Sequence, residues 1–133
     1  IENKEAEILV KIQEELFTIG SYLATGDNEK MMVHLPKLED GPILELEKSI
    51  DDIQEILPEM KNFILPGGHP AVSTCHVARC VARRAERLVV ALNELEPVPQ
   101  VILQYLNRLS DYLFVLARKM SQNLLAQEVI WRG

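Results

Sequence analysis

Cysteine, aromatic residues, positive charge and long apolar runs are all scarce in this chain, and each scarcity removes a class of protein. Only 2 of 133 residues are cysteine, too few for a disulfide framework, so both are expected reduced in a cytosolic setting. Aromatic residues make up 5%, and the 6 glycines and 7 prolines fit neither a collagen-like nor a low-complexity chain. A strand-rich sandwich would want more aromatic and β-branched residues. The longest apolar runs, such as Leu-Val-Val-Ala-Leu at 88–92, fall far short of the roughly 20 residues that cross a bilayer, so no membrane partner is expected. The opening Ile-Glu-Asn-Lys-Glu-Ala-Glu has neither the basic region nor the apolar stretch of a secretion signal, which points to a cytoplasmic protein. With 14 basic against 20 acidic residues the net charge is −6. No general nucleic-acid partner is expected, because duplex binding draws on clustered cations that release counterions. What remains, 47% apolar and 26% charged, suits a single compact helical domain over 1–133.

Apolar spacing divides that domain into helices. Ile8, Ile12, Leu16, Ile19 and Leu23 recur at steps of three and four, predicting a first helix over 4–24. The chain opens inside this pattern without a cap, so a preceding segment is expected in the whole protein. Residues 25–41, with Gly26, Asp27, Asn28, Pro36, Asp40 and Gly41, read as a connection. Pro42 then suits a first helical turn, and Ile43, Leu46, Ile50, Ile53 and Leu57 repeat until Pro58 interrupts the second helix. Phe63 to Pro70 reads as a punctuated loop. A long helix follows from Pro70 to about Glu94, roughly 37 Å at 1.5 Å per residue. Glu96-Pro97-Val98-Pro99 ends it. Val101, Leu106, Leu109, Leu113, Leu116 and Met120 mark one side of a final helix that runs to about Gln127, beyond which the tail is too short to classify. The expectation is an all-α bundle of four visible helices, five with the preceding segment.

The third helix is the informative one. At about 100° per residue, Val77, Ala78, Val81, Ala82, Ala85, Leu88, Val89 and Leu92 fall on one side, and His76, Arg79, Arg83, Glu86 and Arg87 on the other, with Arg84 toward its edge. Four arginines and one glutamate between 79 and 87 concentrate +3 in a chain of net −6. Arginine suits a phosphate chain, since its planar guanidinium donates in a fixed fork and keeps its charge. The same pattern also fits an exposed face that pairs its arginines with nearby acids. On the final helix Asn107, Ser110, Asp111, Phe114 and Arg118 share a side, which suits either a ligand wall or a solvated or subunit-contacting surface.

Other chemistries find less support. His76 and Cys80 lie one turn apart, with His69 and Cys75 nearby, but the adjacent arginines repel a cation, so no metal site is expected and the cysteines read as small packing residues. Paired Glu-x-x-His motifs, a Gly-x-Ser-x-Gly elbow and a P-loop are all missing from the sequence.

Taken together, Phe63-Ile-Leu-Pro-Gly-Gly68, His76-Val-Ala-Arg79, Arg83-Arg-Ala-Glu-Arg87 and Tyr105-Leu-Asn-Arg-Leu-Ser-Asp-Tyr112 resemble, in order and spacing, the PduO-type ATP:corrinoid adenosyltransferases. The resemblance runs from the first helix to about residue 121. It implies a ferritin-like-looking helical bundle that assembles as a homotrimer with sites between subunits. It also implies transfer of the 5′-deoxyadenosyl group of ATP to the cobalt of reduced corrinoid, cob(I)alamin, with triphosphate released and Mg2+ accompanying ATP. By the same resemblance, Arg83, Arg84, Glu86, Arg87 and Asn107 contact the nucleotide, and Arg79 and Arg83 serve catalysis. Arg79 is expected to pair across the subunit boundary with an aspartate from the family's amino-terminal region. Phe63 matches the ring that displaces the lower axial ligand of the corrinoid, Phe114 adds to that apolar wall, and Ser110 and Asp111 fit packing as well as ligand contact. The family's Thr-Gly-Asp-Gly-rich ATP loop and the helix bearing that aspartate have no counterpart here, Thr25-Gly26-Asp27 lying after the first helix. The alternative function is a non-catalytic helical trimer whose arginine-rich face binds an acidic partner.

Overall fold

A computed structural model describes residues 3–26, 35–58, 64–65, 69–123 and 129–130. Four helices account for nearly all of them, and the fold is an all-α helical bundle. The chain divides into two compact units, residues 1–42 and 43–133.

In the first unit, α1 spans Asn3–Thr25 and buries Glu5, Ile12 and Ile19, a stripe repeating every seven residues. Leu16, expected on that stripe, is 37% exposed, and Phe17 is 79% exposed. Gly26 closes the helix at φ +56°, a left-handed conformation that glycine adopts without a Cβ penalty. The Tyr22 hydroxyl donates to the Pro36 carbonyl at 2.8 Å, fastening residue 36 back to α1. Within the expected 25–41 connection, Asp27 and Asn28 lie outside the described residues.

The second helix, α2, spans Gly41–Ile56 and buries Ile43, Leu46, Ile50 and Ile53, the apolar set its sequence spacing defines. Leu57 falls just beyond its end, where the following Pro58 disfavours helical angles. Helix α3, Pro70–Leu95, starts with a strong cap: His69 is extended at φ −150°, ψ 143°, and its Nδ1 accepts the Ala71 N–H at 3.0 Å. Pro70 fills the first helical position, where a missing N–H costs nothing. The turn at 96–99 is fixed from both sides. The Glu96 N–H donates to the Leu92 carbonyl at 2.8 Å, and the Asn93 carboxamide oxygen accepts from Val98 N–H at 2.8 Å. Helix α4, Gln100–Asn123, then returns antiparallel to α3.

Two expectations about faces need correction. The sequence grouped Val77, Val81 and Leu88 with Ala82 and Val89 on one apolar side of α3, yet the first three are 62%, 61% and 62% exposed, while Val72, Cys75, His76, Ala82 and Val89 are buried. Apolar residues occupy so much of this helix that periodicity alone does not choose which stripe meets α4. Helix α4, expected to bury one side, buries Ile102, Tyr105, Tyr112, Val115 and Ala117 besides Leu106, Leu109, Leu113, Leu116 and Met120, with Val101 only half-buried. A helix apolar most of the way round belongs in an interior.

A two-residue ladder completes the unit. β1, Ile64–Leu65, pairs antiparallel with β2, Val129–Ile130, joining a segment read as loop to a tail left unclassified. Strands this short leave no periodic signature in sequence.

Candidate functional site

The seam between α3 and α4 gathers the candidate residues. Its antiparallel register is fixed at two levels. Asn107 donates from Nδ2 to Glu86 Oε2 at 3.0 Å, and the Arg79 guanidinium carbon lies 5.1 Å above the centre of the Phe114 ring. Both pairs are separated by seven residues along their helices, two turns or about 10 Å. Arg83 stands between them on α3, at the level of Ser110 in this register.

The Phe114 end is apolar and positively charged. Arg79 stacks on the ring face, a cation–π arrangement, and the His76 ring lies tilted at 58° with its centroid 6.4 Å from that of Phe114. Cys75 is buried beneath, its thiol donating to the Leu113 carbonyl at 3.2 Å, and burial pushes that thiol up to about 11 against the lowering influence of Arg79. A thiol so placed packs and does not react. Two buried nitrogens here, His76 Nδ1 and Arg79 Nε, have no hydrogen-bond partner among the described residues. An unpaired buried donor costs about 1–3 kcal/mol, and Arg79 Nε is such a donor among the described residues.

Burial first, and then the Arg79 charge, hold the His76 imidazole below its ordinary value of 6.5. A depressed folded-state value means the unfolded chain takes up a proton here before the folded chain does. The associated stability is therefore complete above about pH 6.5 and is lost as the pH falls through that value toward the folded one. Urea midpoints should accordingly drop between pH 7.5 and pH 5.5, and His76→Gln should make that drop shallower. Parallel pH profiles for the two proteins would remove His76 as a contributor.

At the other end, Asn107 is bonded through both atoms of its carboxamide. Its Oδ1 accepts from Arg108, and Arg108 also forms an ion pair with Asp111 at 2.8 Å. The Ser110 hydroxyl, buried, donates back to the Asn107 carbonyl at 2.9 Å and so supports the helix. Asp111 is 52% exposed and points its charge at Arg108. Arg118 is buried and donates from Nη2 to the Pro58 carbonyl at 3.0 Å, which makes it a tie between α4 and the end of α2. Beside Asn107 and Glu86 opens a cavity of about 480 Å3, whose further lining comes from Ile43 and Glu47 of α2 and from Leu103, Gln104 and Arg108.

Arg84 and Arg87 line a separate groove of about 330 Å3 with His76, Val77, Cys80 and Val81. Arg83, Arg84 and Arg87 are exposed, and none forms an ion pair with a described residue. The reading of an exposed face neutralised by neighbouring acids therefore finds no pairs within the described residues. Phe63, the remaining candidate, lies outside them. Among the described residues no three His, Cys, Asp or Glu side chains come together in metal-binding array, and no helix is long and apolar enough to cross a membrane.

Sequence reasoning missed Glu47, Gln104 and Arg108. Gln104 lies one helical turn before Asn107, a spacing that could have drawn attention to it; Glu47 sits on another helix, where nothing in sequence links it to the seam.

Fold and seam together define a helical-bundle protein with an arginine-rich helix packed antiparallel against its neighbour. Residues 1–120 match the family described as cobalamin adenosyltransferase, and the chain belongs to that family. Corrinoid adenosyltransferase MMAB of Mus musculus is 43% identical over 129 residues, covering 96% of this chain and 54% of its own length. Corrinoid adenosyltransferase of Bacillus subtilis (strain 168) is 46% identical over 117 residues, covering 88% of this chain and 58% of its own. The chain thus spans about half the length of these curated relatives. Among solved structures, a variant PduO-type ATP:corrinoid adenosyltransferase from Lactobacillus reuteri complexed with cobalamin and ATP superposes with a TM-score of 0.88 at 37% identity, covering 98% of this chain and 72% of that one.

Proposed function

We propose that this chain belongs to an enzyme that transfers the 5′-deoxyadenosyl group of ATP to the cobalt of a reduced corrinoid, cob(I)alamin, releasing triphosphate. Residues 1–133 act in it as one adenosyltransferase domain. The observation that carries the reading is the seam itself, with a polar pair, Glu86 and Asn107, two turns from an aromatic and cationic pair, Phe114 and Arg79, and Arg83 between them. The Lactobacillus reuteri neighbour, which holds cobalamin and ATP, supports both ligands.

In the proposed reaction the cobalt supplies an electron pair to C5′, the Co–C bond forms, and the C5′–O bond breaks with its electrons leaving on triphosphate. The corrinoid brings its own nucleophile. The chain's task is to hold the two substrates in line and to stabilise the departing charge. Arg83 is assigned to the polyphosphate, with Arg84 and Arg87 extending the positive field, while Glu86 and Asn107 hold the nucleotide. Phe114, Arg79 and Phe63 form the corrinoid wall. The unpartnered Arg79 Nε suits a carboxylate from another subunit, which agrees with a homotrimer whose sites lie at subunit boundaries. Mg2+ enters with ATP to offset phosphate charge. The net charge of −6 speaks against a nucleic-acid partner, and a cytoplasmic location goes with this reading.

The test is direct. The full-length protein, mixed anaerobically with ATP and cob(I)alamin, should yield the absorbance spectrum of light-sensitive adenosylcobalamin. A folded trimer that forms no such product would overturn the enzyme reading in favour of a binding protein for an acidic partner.

A further inference from the structure

The cavity beside the seam has an electrostatic character that separates the two ends of the nucleotide. Its charged members are the carboxylates of Glu47 and Glu86 and the guanidinium of Arg108, and that guanidinium is already paired with Asp111 at 2.8 Å. A triphosphate placed here would meet uncompensated negative charge. Arg83, by contrast, lies one turn away on α3 without a partner among the described residues. The cavity therefore excludes the phosphate end and accepts the nucleoside end.

Its free hydrogen-bonding capacity is narrower still. Asn107 and Glu86 are bonded to each other, and Arg108 to Asn107 and Asp111, although the second Asn107 N–H and the other Glu86 oxygen stay available to a nucleotide. Glu47 and Gln104 remain, both exposed and neither bonded to a described residue, beside the apolar side chains of Ile43 and Leu103. A carboxylate only accepts; a carboxamide donates and accepts. Adenine offers an amino group beside a ring-nitrogen acceptor on an otherwise apolar plane, whereas guanine presents a carbonyl oxygen where adenine has its amino group.

We infer that Glu47 and Gln104 read the purine base of the nucleotide, with Glu47 accepting from the adenine amino group and setting the preference for ATP over GTP. Gln104 donates to the adjacent ring nitrogen, and Ile43 and Leu103 flank the base. Guanine is rejected because its carbonyl oxygen faces the Glu47 carboxylate, two acceptors without a proton between them. This rests on the adenosyltransferase reading above, and adds to it the residues that choose the base.

The experiment is Glu47→Gln in the full-length protein, with kcat/KM measured for ATP and for GTP against cob(I)alamin. Glutamine retains an acceptor for adenine and gains a donor for the guanine carbonyl, so ATP:GTP selectivity should fall about tenfold, the scale of one hydrogen bond to a charged group. Gln104→Leu should lower selectivity in the same direction. Unchanged selectivity in both folded variants overturns the assignment. So does an equal loss with ATP and GTP that disappears with 2′- or 3′-deoxy-ATP, which would move Glu47 to the ribose. If the wild-type protein adenosylates no corrinoid, the activity proposal fails by itself, and equilibrium dialysis with ATP and GTP reads the same ratio for the base assignment.

Discussion

Replacing Arg83 with alanine is expected to lower kcat/KM for ATP on the order of a hundredfold, about 2 to 4 kcal/mol at the barrier, while the helical fold persists. Both halves of that expectation come from the seam. Arg83 is exposed and makes no ion pair with a described residue, so its removal leaves no buried partner stranded. It stands midway between the Glu86–Asn107 pair and the Arg79–Phe114 pair, where a nucleotide lying along the groove would place its leaving group. Charge that develops on triphosphate during bond breaking is felt there more than in the ground state, so the loss should fall on kcat as well as on ATP affinity. Arg83→Lys keeps the charge but not the fork, and should recover only part of the rate. Steady-state kinetics and ATP calorimetry, with circular dichroism as the check on folding, measure all three. Near-normal turnover in the alanine variant would remove Arg83 from the mechanism.

Phe63→Ala should separate the corrinoid substrates from each other instead of weakening ATP. By resemblance this ring takes the place of the lower axial ligand, leaving a cobalt that is easier to reduce. Its loss should therefore slow the reaction that starts from cob(II)alamin by more than tenfold relative to the one that starts from cob(I)alamin, about 1.4 kcal/mol of barrier. ATP binding should be unaltered, since the arginine field is untouched. Equal losses from both oxidation states would contradict the axial-ligand role and recast Phe63 as part of the general apolar wall.

How far the sequence could reach is clearest on α3 and α4. Prolines at 42, 58, 70, 97 and 99 bracket the helices, because each lacks an N–H or restricts the residue before it, and α2 and α3 begin and end within a residue or two of those marks. The orientation of α3 was not legible. Val77, Val81 and Leu88 are as apolar as Val72 and Val89, and only contact with α4 decides which stripe is covered. Helical periodicity placed Arg79 and Glu86 on one face of α3 and Asn107 and Phe114 on one face of α4, resemblance to a family added their roles, and the structure brings them together as two matched pairs. Glu47 was out of reach for a different reason: its nearness to Asn107 is made by the packing of a helix some sixty residues away in the chain, and no local pattern encodes that. Among the arginines, Arg84 is turned about 100° from Arg83 by the helix, whereas Arg87, one turn on, lies only about 40° from Arg83.

The four-residue turn at 96–99 also says something about the order in which the protein assembles. Glu86 and Asn107 are 21 residues apart in the chain, whereas the Arg118–Pro58 tie spans 60. Loop-closure entropy favours the shorter connection, and contacts local in sequence form early. The α3–α4 hairpin, braced by Asn93 holding the Val98 N–H, is thus a natural nucleus, and the docking of α2 comes after it. Alanine substitutions along the hairpin should slow refolding, while substitutions on α2 should chiefly speed unfolding; φ-values near zero in the hairpin would reverse that order. The groove proposed to hold the nucleotide would then take shape at the start of folding, and the helix inferred to choose its base would arrive last.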